Sequence, residues 1–143
     1  LDPARRRSAC LFCFRDGCRG YGITYFKQMK IIAGKYKSRI IQMPKKIRPT
    51  QDKVRKALFD ILGDIEGLSF LELFAGSGAV GFEAVSRGAL ELALVEPDQD
   101  CLLAIRKNIE SLKIKACGLY PQEAERALEA LRKESRKFDI IFF

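Results

Sequence analysis

Residues 70–81 read FLELFAGSGAVG, and no other stretch constrains the fold as strongly. Five strand-forming positions, Phe70 to Phe74, carry one acid, Glu72, and run into Gly76-Ser77-Gly78, after which a helical pattern starts at Ala79. A strand, a glycine turn and a helix start in immediate succession let the backbone come close to a ligand. Glycine has no Cβ and tolerates positive φ, and the first turn of a helix offers unpaired N–H groups. A nucleotide-like ligand is the first expectation.

Strand and helix alternate from this turn onward. Ala79 to Arg87 reads as a short helix closed by Gly88 and Glu91 to Val95 as a second strand, with Asp98 and Asp100 opening a helix that runs to about Leu112. Lys115 to Tyr120 is a third strand and Gln122 to about Arg136 a third helix, with Ala124, Leu128 and Leu131 facing inward. Phe138 to Phe143, FDIIFF, is almost continuously apolar, as a strand covered on both faces should be. This βαβαβαβ order predicts an α/β fold with a doubly wound parallel sheet, its strands ordered 3-2-1-4.

Ahead of the sheet, Lys30 to Ala33 and Ser38 to Met43 are β-type runs joined across Gly34-Lys35-Tyr36-Lys37, which predicts a hairpin with a basic tip. Pro44, Pro49 and the lysines between them mark an extended connector. Thr50 is placed to cap a following helix on which Val54, Ala57, Leu58, Ile61 and Leu62 share a face, and which ends near Gly63.

Charge divides the chain. Residues 29–56 hold ten basic side chains and one acidic, whereas residues 57–143 hold ten basic and fifteen acidic. A short basic arm beside an acidic body is the electrostatic footprint of a polyanion-binding surface. Lys30, Lys35, Lys37, Arg39, Lys45, Lys46 and Arg48 are therefore the candidate RNA contacts. The chain has no histidine, which excludes triads with a His base and zinc sites that need imidazole. Cys10 and Cys13 form a CxxC with Cys18 beyond, but no second CxxC completes a metal site. Five scattered cysteines fit a reducing cytoplasm, and no apolar run approaches the roughly 20 residues of a membrane span.

Gly76, Gly78 and Gly81 satisfy GxGxxG, and Glu96 lies where a dinucleotide-binding fold places its ribose-binding acid. A carboxylate there accepts hydrogen bonds from both ribose hydroxyls. Two cofactors compete at this point, NAD and S-adenosylmethionine. Glu72, four residues before the first glycine, is placed to face the ammonium of an amino-acid-bearing ligand and has no evident partner on a pyrophosphate, so S-adenosylmethionine fits better. An NAD-binding module and a non-catalytic basic RNA-binding protein are the alternatives.

KIIAGKYKSR (Lys30 to Arg39), IRPTQDKVRKALFDIL (Ile47 to Leu62), LELFAGSGAVGFEAVSRGA (Leu71 to Ala89) and VEPD (Val95 to Asp98) together resemble the RsmD-type methyltransferases. The resemblance runs from about Met29 to Phe143. It implies a Rossmann-like class I methyltransferase fold that uses S-adenosylmethionine to methylate a guanine N2 in small-subunit ribosomal RNA. By position it implies that Phe74, Ala75, Gly76, Ser77 and Gly78 line the methionine end of the cofactor, that Glu96 holds the ribose, and that Pro97 and Asp98 lie along the adenine. Glu123 falls near the adenine amino group, and Arg48-Pro49-Thr50 matches an element in front of the cofactor site. Lys56 departs from the pattern, which commonly has Glu after the arginine that Arg55 matches.

The resemblance also implies a DPPY- or DPPF-type motif, whose acid and proline carbonyl orient the guanine amine, just beyond Phe143. No catalytic residue is therefore expected within the 143 residues, and these alone are expected to be catalytically silent. The expected organisation is a leader at 1–28, a basic hairpin arm at 29–49 and a partial cofactor-binding domain at 50–143. The expected partner is small-subunit rRNA or its assembling particle, met in the cytoplasm, with no membrane association and a monomeric full-length enzyme.

Overall fold

The computed structural model describes residues 26–48 and 50–143. The thiols of Cys10, Cys13 and Cys18 lie outside this range, as does most of the expected leader. A four-stranded parallel sheet forms the body, from β3 (Ser69–Glu72), β4 (Glu91–Val95), β5 (Cys117–Tyr120) and β6 (Ile140–Phe142), in the order β5-β4-β3-β6. That is the expected 3-2-1-4 order, with β6 three residues long where six were expected. The linking helices are α2 (Ala79–Ser86), α3 (Gln99–Leu112) and α4 (Ala124–Lys133), and α1 (Asp52–Leu62) precedes the sheet.

Alternation along the strands divides the core between the two faces of the sheet. Phe70, Leu92 and Leu94 point to one side, where they pack with Phe59, Val80, Phe82 and Ile105; Leu71, Leu73, Ala93 and Val95 point to the other, beneath Ala127 and Leu131 of α4. Leu128, expected to face inward, is 43% exposed, and Ala127 takes the inward position. Gly81 permits the close approach of α2 to the sheet, since a Cβ there would lie 2.7 Å from a Leu92 methyl and 2.8 Å from Glu72 Oε2.

A two-stranded antiparallel hairpin, β1 (Phe26–Lys30) and β2 (Ile40–Pro44), lies on the first face, with Phe26 opposite Pro44 and Lys30 opposite Ile40. Its first strand, Phe26–Lys30, lies about four residues earlier than the Lys30 to Ala33 run the sequence pattern predicts, and Phe26 is the first described residue of this part of the chain. Side chains of the body explain the shift. Ile31 is buried in the core, and the next two N–H groups donate to Glu83, Ile32 at 2.8 Å and Ala33 at 3.0 Å. At the other end, the Lys107 ammonium sits 4.5 Å from the centre of the Phe26 ring.

Further contacts fix the hairpin to the body. Ser86 Oγ accepts the Tyr36 N–H and donates to the Ala33 carbonyl, and Lys35 N–H donates to the Ser86 carbonyl. Gly34, at φ +78°, has no room for a side chain, because a Cβ would fall 1.8 Å from that same carbonyl. On α3, Asn108 is paired both ways with the Gln42 backbone, each bond 2.8 Å. The basic arm is thus a docked element rather than a free tail.

Helix α1 turns a different face inward from the one predicted. Arg55 and Phe59 are buried and Leu58 and Leu62 half-buried, while Val54 and Ile61 are 54% and 84% exposed. Phe59 stacks on Phe70, with centroids 6.4 Å apart, and Arg55 Nη2 donates to the Lys30 carbonyl at 2.9 Å. Gln51, not Thr50, occupies the capping position, and no side chain makes the capping bond. Among the described residues no helix is long and apolar enough to cross a membrane, and no group of His, Cys, Asp and Glu side chains is arranged to hold a metal ion.

Candidate functional site

The connection leaves β3 outward through β4 and β5 and returns on the opposite side of β3 at β6, so the sheet has a switch point between β3 and β6. Ligands of open α/β sheets bind outside the carboxyl ends of strands at such points. The glycine turn sits there. Phe74, Gly76 and Gly78 all have positive φ, at +57°, +57° and +73°. Phe74 is the informative one, because a bulky side chain in the left-handed region costs about 1–2 kcal/mol and its ring is 64% exposed. Leu73 N–H is bonded to the Phe142 carbonyl, which holds the chain in place just before this strained residue.

Glu96, at the end of β4, is 8% exposed and reaches back to the turn. Its Oε2 accepts the Gly76 N–H at 2.7 Å and its Oε1 the Asp98 N–H at 2.9 Å. Each carboxylate oxygen has thus used one lone pair on the backbone and keeps another. Asp98 caps α3: its Oδ1 accepts the Asp100 and Cys101 N–H groups, both at 3.0 Å. Its Oδ2 takes the Lys46 ammonium at 2.7 Å, which holds the Asp98 carboxyl below its ordinary pKa. Glu123 is the exposed residue at the start of α4, and its side chain makes no capping bond.

Glu72 is the last residue of β3, just before the turn. It is buried, and its Oε2 accepts the Gly81 N–H at 2.8 Å, so the carboxyl seats the first turn of α2. Burial pushes it up to about 8, helped by the Glu96 carboxylate and opposed by the Gly81 N–H and by Arg55. Thr50 lines a cavity of about 360 Å³ together with Gln28, Met29, Lys30, Gln51 and Asp52. Met29 ties that cavity to the turn, since its Sδ lies 3.9 Å from Ser77 Oγ.

Two residues essential to this geometry escape a reading of apolar period. Glu83, wholly buried in α2, bonds the hairpin backbone and Arg87 Nε; an acid within an otherwise apolar helix was the available signal. Arg55, also wholly buried, bonds Lys30 and Asp52 through Nη2, while Nε and Nη1 have no hydrogen-bond partner among the described residues. Lys56, the departure from the resembled pattern, pairs locally with Asp60.

The candidate RNA contacts divide. Lys35 and Lys37 are exposed at the hairpin tip, Lys35 over the Tyr36 ring, and Lys30, Lys45 and Arg48 lie on the same arm. Arg39 donates to the Ser111 carbonyl, and Lys46 is engaged by two carboxylates, Asp98 at 2.7 Å and Asp100 at 2.8 Å.

A family model described as conserved hypothetical protein 95, the RsmD family, matches residues 29–143. The chain belongs to this family. A Bacillus subtilis (strain 168) protein named provisionally as an rRNA methyltransferase is 36% identical over 118 residues, 80% of this chain and 64% of that protein. Ribosomal RNA small subunit methyltransferase D of Escherichia coli (strain K12) is 40% identical over 89 residues, 60% of this chain and 45% of that protein. Among solved structures, a hypothetical protein of Thermus thermophilus superposes with a TM-score of 0.72 at 32% identity, covering 79% of this chain and 66% of that one. The chain therefore spans about half to two thirds of the length of these similar proteins. The α/β fold with its parallel sheet is that of the methyltransferases among its structural neighbours.

The site can be tested against the cofactor that this family resemblance implies. A vicinal diol fits Glu96, whose two oxygens each keep an acceptor site near the surface. A ligand can approach Gly76 closely, because among the described residues the space a Cβ would take there meets only an Ile47 methyl, at 3.4 Å. The ribose of an adenosyl group matches both.

Proposed function

We propose that this chain is the cofactor-binding half of an S-adenosylmethionine-dependent methyltransferase that acts on a guanine N2 of small-subunit rRNA, free or in its assembling particle, in the cytoplasm. The observation that carries the reading is the Glu96 carboxylate, fixed at the end of β4 by the Gly76 and Asp98 N–H groups with an acceptor left on each oxygen. S-adenosylmethionine supplies an electrophilic methyl group on its sulfonium. The chain's own residues bind and orient: Glu96 the ribose, Pro97, Asp98 and Glu123 the adenine side, and Phe74 to Gly78 with Thr50 the amino-acid end. Glu72 serves that end indirectly, by seating Gly81 and hence the helix start that follows the turn. The names of the relatives support rRNA as the substrate class, and the basic hairpin supports a polyanion partner.

Glu96→Ala is expected to weaken S-adenosylhomocysteine binding by about 1.5–3 kcal/mol, the range for hydrogen bonds to a charged group, as read by titration calorimetry. Unchanged affinity, or tighter binding of NAD than of S-adenosylhomocysteine by the wild type, would remove the assignment. For the RNA surface, replacing Lys35 and Lys37 with alanine should flatten the salt dependence of affinity for an rRNA hairpin. The expected change is roughly 0.7–0.9 log units per lost phosphate contact. A slope equal to the wild type's would count against the hairpin tip as the contact surface.

A further inference from the structure

The connector between β2 and α1 crosses the mouth of the site just described. Ile47 N–H closes a tight turn onto the Pro44 carbonyl at 3.4 Å, with Pro44 itself buried. The turn aims two successive side chains at the carboxyl ends of the strands. The Lys46 ammonium bridges Asp98 and Asp100 at the start of α3, and Ile47 lies over Gly76, whose N–H is bonded to Glu96. Asp98 in turn donates its N–H to the other oxygen of Glu96. A continuous set of contacts thus runs from Lys46 through Asp98 to Glu96, and from Ile47 to Gly76, enclosing the Glu96 carboxylate on two sides.

Lys46 has little reason to be there for stability. All three side chains of its pairs are 40–48% exposed, and exposed ion pairs add little net stability. Nor does its ammonium stand open to a phosphate, since two carboxylates already hold it at hydrogen-bond distance. Its effect is geometric. It neutralises two acids that, with Glu96, would otherwise crowd the end of β4 with negative charge, and it keeps the connector down over the turn.

We propose that Lys46 and Ile47 belong to the cofactor site and not to the RNA interface: the 44–48 turn is a strap that walls the ribose end of the pocket, with Lys46 as a positioning residue for Glu96 and Ile47 in contact with the ligand. The proposal rests on the cofactor reading given above, and separates this lysine from the exposed lysines of the same basic arm.

The test compares Lys46→Met, Lys46→Arg and Ile47→Ala with Lys37→Ala in the full chain. S-adenosylhomocysteine and 5′-methylthioadenosine, which lacks the amino-acid end, are titrated against each, and rRNA-hairpin affinity is measured across a salt series. Lys46→Met is expected to weaken both nucleoside ligands by the same factor, roughly three- to tenfold, in the lower part of the range of coupling between contacting residues because the pairs are half-exposed. Lys46→Arg restores binding, because a guanidinium can bridge the two carboxylates, and Ile47→Ala weakens both ligands. None of the three moves the RNA salt slope, which Lys37→Ala lowers without touching either nucleoside. Wild-type binding with an unaltered Lys46→Met overturns the proposal alone, as does a Lys46→Met that behaves like Lys37→Ala. A wild-type chain that binds no S-adenosylhomocysteine overturns the cofactor reading and the strap with it. Urea midpoints accompany each variant, and a loss confined to S-adenosylhomocysteine, or one that Lys46→Arg fails to rescue, also counts against the proposal.

Discussion

Glu83→Ala is expected to lower stability by about 3–5 kcal/mol and to release the hairpin from the body. The carboxylate is wholly buried and accepts the N–H groups of Ile32 and Ala33 together with Arg87 Nε, so its removal strands two backbone donors and one cation. Arg87 is also held over the Phe59 ring at 4.8 Å, and losing its partner disturbs the packing of α1 on α2. Against a typical domain stability of about 5–15 kcal/mol, that is a large fraction. Urea unfolding at neutral pH measures the loss, and faster amide exchange at Ile32 and Ala33 locates it. Glu83→Gln, which retains one acceptor, should lose less. A midpoint unchanged in Glu83→Ala would mean that the hairpin is held by its Ser86 and Asn108 contacts alone.

The second large effect is a loss of stability with rising pH. Burial pushes Glu72 up to about 8 in the folded state, from an ordinary value of 4.5. Between those two values the folded protein keeps a proton that the unfolded chain has released, so folding is favoured at low pH and the advantage fades as pH rises toward 8. Across the pH range of about 5.5 to 8.5 the cost through this one group is about 3 kcal/mol. Asp98 and Asp139, both held below their ordinary values, act in the opposite sense, but below that window. Urea midpoints at the two ends of the range should differ in the wild type, and much less in Glu72→Gln, whose amide oxygen still accepts the Gly81 N–H. Equal pH slopes in the two proteins would show that another group carries the dependence.

The parallel body was legible because each element there obeys its own period. Phe70 to Phe74, Glu91 to Val95 and FDIIFF announce strands, glycines close the turns, and alternation of strand with helix leaves few topologies; the observed order β5-β4-β3-β6 follows. Asp98 and Asp100 likewise marked the start of α3 correctly, and the spacing from Gly76 to Glu96 became a 2.7 Å hydrogen bond. What failed were inferences from apolar pattern where a polar group overrides it. Arg55 lies on the inward face of α1 because its guanidinium reaches the Lys30 carbonyl, a partner 25 residues earlier that no local pattern reveals, and this turns Val54 and Ile61 outward. The strand around Ile31 ends early because Glu83 takes the N–H groups a longer ladder would use. Lys46 stands in a run of basic residues, and the two acids it pairs with lie more than 50 residues away, beyond the reach of any local pattern. In each case a long-range polar bond decided what local composition left open.

The docking of the hairpin also sets an order of events during synthesis. Phe26 to Pro44 leaves the ribosome before any of its anchors exists: Glu83 and Ser86 follow about 50 residues later, and Asn108 pairs with Gln42 across 66 residues. A two-stranded hairpin alone is marginal in water. The hairpin segment must therefore wait, basic and without these partners, until α2 and α3 have formed against the sheet. The basic hairpin is thereby assembled only once its anchoring helices are in place, and a nascent chain stalled before Asn108 would carry the charges without the shape.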